Sequence, residues 1–97
     1  MLKAAIVGAG YIAEFHALAY LGIPQVQLSL IQDPNLEKTQ KLAARCQAQA
    51  ITNFEDLLTA DVDLVSICTP TPSHAALAKA LLHSGKHVLC EKPMTTS

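Results

Sequence analysis

Ninety-seven residues suffice for one domain with a single core and are too few for two. Hydrophobic residues make up 51% of the chain and charged ones 15%, and the formal net charge is −1, so no strong field steers it toward nucleic acid or an anionic membrane surface. With two Tyr, two Phe and no Trp there is no basic patch interleaved with aromatics, and nucleic-acid binding is not expected.

The chain opens MLKAAIVGAGYIAEFHALAYLG. This is apolar, yet a lone Lys3, the interruptions at Gly8 and Gly10, and Glu14 within the run do not make a signal peptide. No stretch approaches an uncharged membrane span. Leu2 to Val7 is a compact aliphatic run and predicts a strand. Tyr11 to Leu21 predicts a helix closed by Gly22 and Pro24. Val26 to Gln32 reads as a second strand, and Leu36 to Gln47 as a second helix with Glu37 and Lys41 at the favourable spacing on its surface. Ala50 to Thr52 is a short strand and Phe54 to Leu58 a short helix. Val62 to Cys68 is a buried-type strand, its apolar residues nearly continuous. Ser73 can cap a helix running through Ala75 to His83, and Gly85 suits a left-handed stop after it. Lys86 to Cys90 is the last strand. Cys46, Cys68 and Cys90 are odd in number, far apart and set in apolar segments, so reduced, buried thiols and a cytoplasmic setting are expected.

Strand and helix alternate throughout. That pattern implies α/β architecture: a doubly wound parallel sheet with right-handed crossovers and strand order 3-2-1-4-5. In such sheets ligands bind beyond the carboxyl ends of the strands, where strand one meets strand four.

Four motifs fall at those strand ends. Gly8-Ala9-Gly10-Tyr11-Ile12-Ala13 follows the first strand and opens the first helix. Gly8 permits the tight turn, Gly10 lets backbone approach a pyrophosphate, and Ala13 is small enough for the helix to pack on the sheet. Backbone amides and the helix dipole then face the phosphates without a basic side chain. A glycine pattern alone often marks only a strand–helix turn; its position makes this one a dinucleotide fingerprint. Asp33 ends the second strand, where a carboxylate can accept hydrogen bonds from adenosine ribose hydroxyls and repel a 2′-phosphate. NAD is therefore favoured over NADP. Asp33-Pro34-Asn35 is also good turn chemistry, and both readings can hold.

Thr69-Pro70-Thr71-Pro72-Ser73-His74 and Glu91-Lys92-Pro93 end strands four and five. Together with GAGYIA and His16 they resemble the N-terminal domain of the glucose-fructose oxidoreductase/inositol dehydrogenase/rhizopine catabolism (Gfo/Idh/MocA) family, across essentially every residue. The resemblance implies a Rossmann fold, an NAD(P)-dependent oxidoreductase, and a sugar, polyol or related hydroxylated substrate. It implies that Lys92 sits by the nicotinamide ribose and substrate and assists proton movement, as the catalytic residue of this chain; an ammonium there would also stabilise alkoxide charge. It further implies a cis bond before Pro93, a supporting role for Glu91 near the nicotinamide, and a nicotinamide wall formed by Thr69, Pro70 and the loop to Pro72. The cofactor set is then Gly8, Gly10, Tyr11, Ile12, Asp33, Thr69, Pro70, Glu91, Lys92 and Pro93.

The histidines carry no comparable signal. His74 is a first-turn helix residue, and the family's acid/base histidine comes from a second domain, so His74 reads as architectural and His16 as packing. His83 and His87 are separated by Gly85 and make no metal pair. Ser66 has no histidine base at a recognisable spacing. Family enzymes pair this domain with a larger one that supplies the substrate pocket. Residues 1–97 are therefore expected to form a nucleotide domain incomplete at its C-terminal end, lacking a sixth strand and the substrate domain, inactive alone, and either self-associating through the open fifth strand or the face the second domain would cover, or only marginally stable. A non-catalytic dinucleotide sensor and an S-adenosylmethionine-dependent methyltransferase remain alternatives; Glu91-Lys92-Pro93 counts against the latter.

Overall fold

A computed structural model describes residues 2–69 and 74–90. The aliphatic run Leu2–Val7 forms β1 and takes the centre of a five-stranded parallel sheet, where both faces of a strand are covered and continuous hydrophobicity is tolerated. Then follow α1 (Tyr11–Leu21), β2 (Val26–Gln32), α2 (Leu36–Cys46), β3 (Gln49–Ile51), α3 (Phe54–Leu58), β4 (Leu64–Ile67), α4 (His74–His83) and β5 (His87–Cys90). The strand order is β3-β2-β1-β4-β5, as the alternation of elements predicts.

The sheet separates two cores. Ala4 and Ile6 of β1 join Ala13, Ala17, Leu28, Ile31, Leu42 and Ala43 on one face, while Ala5 and Val7 join Leu57, Val65, Ile67 and Leu81 on the other. Leu28 and Ile31 are three apart, which regular alternation would send to opposite faces. The register shows why they are not: Ala4 pairs with Leu28 but Ala5 with Leu30, so Ser29 is skipped and β2 resets its facing. Leu57 and Leu81 are wholly buried and anchor α3 and α4; each contributes roughly 1.5–3 kcal/mol of burial.

On α2, Thr39, Leu42, Ala43 and Cys46 form one buried stripe, the spacing of an amphipathic helix. α1 differs. Ala13, Ala17 and Tyr20 face the sheet, the small residues allowing close approach, while Ile12, Phe15, Leu18 and Leu21 are exposed on the outer side. The Tyr20 and Ser66 hydroxyls hydrogen-bond inside the core and tie α1 to β4, and burial pushes the Tyr20 phenol above its ordinary pKa.

Several element ends depart from the sequence expectation for local reasons. α2 stops at Cys46 because Gln47 adopts a left-handed conformation (φ 58) that closes the helix, Ala48 N–H donating to the Ala43 carbonyl. Val62 lies outside β4 because its N–H turns back to the Ala60 carbonyl. Lys86 lies outside β5: its N–H reaches the Leu81 carbonyl after Gly85 (φ 86) has ended α4. β3 is shifted by one residue relative to Ala50 to Thr52, and the Thr52 carbonyl accepts from the Gln32 side chain instead.

Candidate functional site

Because the strands are parallel, their carboxyl ends share one side of the sheet, and the turn after β1 lies there between β2 and β4. Its two glycines have different causes. Gly8 has φ 107, and a Cβ on it would lie 3.0 Å from the Cys68 carbonyl oxygen. Backbone conformation and close packing against the end of β4 both demand glycine there. Gly10 has φ −90 and ψ −158, which any residue adopts, and a Cβ on it would meet nothing within 4 Å. Neither strain nor packing at the Cβ position requires glycine there.

Gly10 is also the N-cap of α1, and it supplies no side-chain cap, whereas Asn35 caps α2 and Asn53 caps α3. The first backbone bond of α1 runs from Glu14 N–H to the Gly10 carbonyl at 3.3 Å, so the amides of Tyr11, Ile12 and Ala13 precede the helical ladder. A helix start whose amides precede the ladder, with an aligned dipole, suits a phosphate.

Asp33 leaves β2 half-buried beside this turn. Its Oδ2 accepts the Ala9 amide at 2.9 Å and its Oδ1 the Asn35 amide at 2.8 Å. The Asn35 side chain in turn accepts from Lys38 N–H at 3.1 Å. A carboxylate has about four acceptor positions; two remain for hydroxyls of a bound sugar. Between the start of α1 and α2 lies a cleft of about 660 Å³, bordered by Ala9, Gly10, Glu14, Lys38, Lys41 and Arg45. Arg45 and Glu14 form an exposed ion pair at 3.4 Å that joins the two helices.

The structure therefore brings Gly8, Gly10, Tyr11, Ile12 and Asp33 to one side of the sheet. Thr69 joins them, half-buried after β4, its Cγ2 3.5 Å from the Cβ position of Gly8. Pro70, Glu91, Lys92 and Pro93, with Ser73, the cap expected from the sequence, lie outside the described residues. Ser66 is buried and shares a hydrogen bond with the Tyr20 hydroxyl. Among the described residues no His, Cys, Asp and Glu side chains gather as a metal site, and no helix is long and apolar enough to cross a membrane. Sequence reasoning missed the Ala9 amide, Asn35, Lys38 and Lys41. Asn35 was within reach as a helix-start residue; for Ala9, 24 positions from Asp33, no local signal exists. These groups fit a dinucleotide, with open amides for a pyrophosphate and a carboxylate for a ribose.

The sequence model of GFO_IDH_MocA, described as the oxidoreductase family, NAD-binding Rossmann fold, matches residues 2–97. The chain is 38% identical over 94 residues to UDP-N-acetylglucosamine 3-dehydrogenase of Acidithiobacillus ferrooxidans, covering 97% of this chain and 29% of that protein. Its fold superposes on GenD2 from gentamicin A biosynthesis in complex with NAD, with TM-score 0.92 and 32% identity over 99% of this chain and 28% of that one. It superposes likewise on a myo-inositol dehydrogenase from Corynebacterium glutamicum, with TM-score 0.89 and 34% identity over 97% and 28%. The chain thus spans less than a third of the length of these relatives.

Proposed function

Because the chain belongs to the Gfo/Idh/MocA oxidoreductase family, with its NAD-binding Rossmann fold, we propose that it is the cofactor half of a dehydrogenase for a sugar, polyol or related hydroxylated substrate. The observation that carries this reading is Gly10, where an added Cβ would meet nothing within 4 Å, at the start of α1 that no side chain caps, one residue beyond the Ala9 amide that Asp33 holds. The pyrophosphate lies on the amides that open α1, and the adenosine ribose hydroxyls donate to Asp33. The negative charge of Asp33 disfavours a 2′-phosphate, so NAD is preferred to NADP. Bound there, the dinucleotide supplies hydride transfer at its nicotinamide ring.

Lys92 stands nearest the chemistry in this reading, orienting the substrate hydroxyl and moving its proton. Glu91, Pro93, Thr69 and Pro70 shape the nicotinamide end. The substrate pocket belongs to a further domain, in line with the relatives' length. Their names, a nucleotide-sugar dehydrogenase and an inositol dehydrogenase, support the substrate class. A homo-oligomer and a cytoplasmic setting complete the proposal, the latter supported by the odd number of cysteines.

Calorimetric titration is the test. NADH binds more tightly than NADPH; a tenfold preference for NADPH, about 1.4 kcal/mol, would overturn the ribose assignment of Asp33. In a polypeptide that also carries the substrate domain, Lys92→Ala lowers turnover roughly a hundredfold with little change in NAD affinity. Near-normal turnover would reduce Lys92 to a bystander.

A further inference from the structure

We infer that Asp33 is a positioning residue for the glycine turn as well as a ribose acceptor, so that cofactor preference and the shape of the phosphate cradle are coupled through one carboxylate. The inference rests on the dinucleotide reading of the carboxyl-end cleft. Two consecutive amides of the turn are tied to two consecutive residues at the end of β2. Gly8 N–H donates to the Gln32 carbonyl at 2.6 Å, and Ala9 N–H donates to Asp33 Oδ2 at 2.9 Å. The first tie is backbone to backbone and survives any substitution at position 33. The second depends on the side chain alone.

That second tie is the last one before Gly10, so it sets the direction in which the turn enters α1. It also withdraws the Ala9 amide from the phosphate, leaving the amides that follow it as the donors. Asp33 is itself held twice more: its Oδ1 accepts the Asn35 N–H at 2.8 Å, and its own N–H donates to the Ile51 carbonyl at 3.2 Å. A carboxylate fixed in this way is a rigid post, and a hydrogen bond to a charged acceptor is among the stronger kinds.

A consequence separates this role from simple repulsion of a 2′-phosphate. Asp33→Asn removes the charge but keeps an oxygen for the Ala9 amide. Asp33→Ala removes both. If Asp33 served only the ribose and the charge, both variants would leave exchange of the Ala9 amide in the unliganded chain unchanged. With the turn tie, Asp33→Ala binds NADH and NADPH each about tenfold more weakly than Asp33→Asn does, a loss of roughly 1.4 kcal/mol.

The experiment uses the 97-residue chain, with thermal melts to establish that each variant is folded. Hydrogen exchange at the Ala9 amide is read by NMR without ligand, and NADH and NADPH affinities are then measured. Exchange at Ala9 accelerates about tenfold or more in Asp33→Ala and less in Asp33→Asn. Unchanged Ala9 exchange in a folded Asp33→Ala chain, or equal NADPH gains in both variants, overturns the inference. Should Asp33→Ala not fold, Asp33→Asn decides alone: the Ala9 amide proton resonance moves on exchange of a charged for a neutral acceptor, and an unmoved resonance is equally fatal. Failure of the dinucleotide reading has its own signature, in which the unaltered chain binds neither cofactor while Ala9 exchange still responds to position 33.

Discussion

At the amino end of the sheet, polar groups find their partners within the protein. Lys3 Nζ pairs with Asp61 at 2.9 Å, the Lys3 amide donates to Asp63 Oδ2 at 2.9 Å, and the buried Lys86 ammonium donates to the Ala60 carbonyl at 2.9 Å. At the carboxyl end, α1 begins without a side-chain cap, Gly10 faces open space, and Asp33 keeps acceptor capacity in reserve. Both ends border a cleft, about 490 Å³ at the amino end against about 660 Å³ at the other. Cleft size therefore does not distinguish them. Unmet hydrogen-bonding capacity does, and it marks the end where a ligand completes the structure.

The sharpest test of this contrast lies within one turn. Gly10→Val weakens NADH binding at least a hundredfold, about 2.7 kcal/mol, because its methyls fill the pyrophosphate position. The chain stays folded, with about 1 kcal/mol or less lost through valine at the N-cap of α1, since a Cβ at Gly10 meets nothing within 4 Å. Gly8→Ala does the reverse and costs about 1–3 kcal/mol of stability in urea titration, through its positive φ and the Cys68 carbonyl 3.0 Å away. If Gly10→Val remains folded and binds NADH normally, the open end is not a cradle.

A smaller effect is expected at the closed end. Lys86→Met keeps the buried stem and removes one of the two donors to the Ala60 carbonyl, leaving the Val62 N–H, at a cost of about 0.5–1.5 kcal/mol in denaturant titration while NADH affinity stays unchanged. A loss of NADH binding there would join the two ends in a way the contrast denies.

The exposed pair Lys3–Asp61 gives the smallest effect. The Lys3 ammonium, through its hydrogen bond and then its charge, holds the Asp61 carboxyl below its ordinary 3.8, and Asp61 in the same way holds Lys3 above 10.5. A depressed acid stabilises the fold above its unfolded pKa and loses that contribution as pH falls through the folded one. A raised amine loses its contribution as pH climbs through the folded value. Asp61→Asn should therefore be slightly less stable than the unaltered chain at neutral pH and indistinguishable from it at strongly acid pH. The difference also shrinks in high salt. A gap that persisted in acid would mean that something other than charge holds this pair.

Much of the carboxyl end was legible in the sequence because its signals are local. Gly8, Gly10 and Ala13 stand on a strand–helix boundary, and Asp33 closes an apolar run before Pro34 and Asn35. The alternation of elements was enough to order the strands. What the sequence did not display were contacts between distant segments: the Ala9 amide on Asp33, the skipped residue at Ser29, and the ion pair between Lys3 and Asp61. Gln47 misled for another reason. Glutamine is a good helix former, and only the tertiary path into β3 turns it left-handed where a glycine would be the ordinary choice.

The placement of β1 has a consequence for the order in which the molecule can assemble. Ala4 finds its β2 partner at Leu28, but its other partner, Leu64, lies 60 residues along the chain. At roughly 5–20 residues per second, a ribosome needs several seconds to span that interval. During it, β1, α1, β2 and α2 can close one core, while Ala5 and Val7 wait on the opposite face for Val65, Ile67 and Leu81. The nascent chain thus holds a half-built sheet with a bare apolar side. The glycine turn, lodged between β2 and β4, acquires its final wall at Cys68 only when the second half arrives.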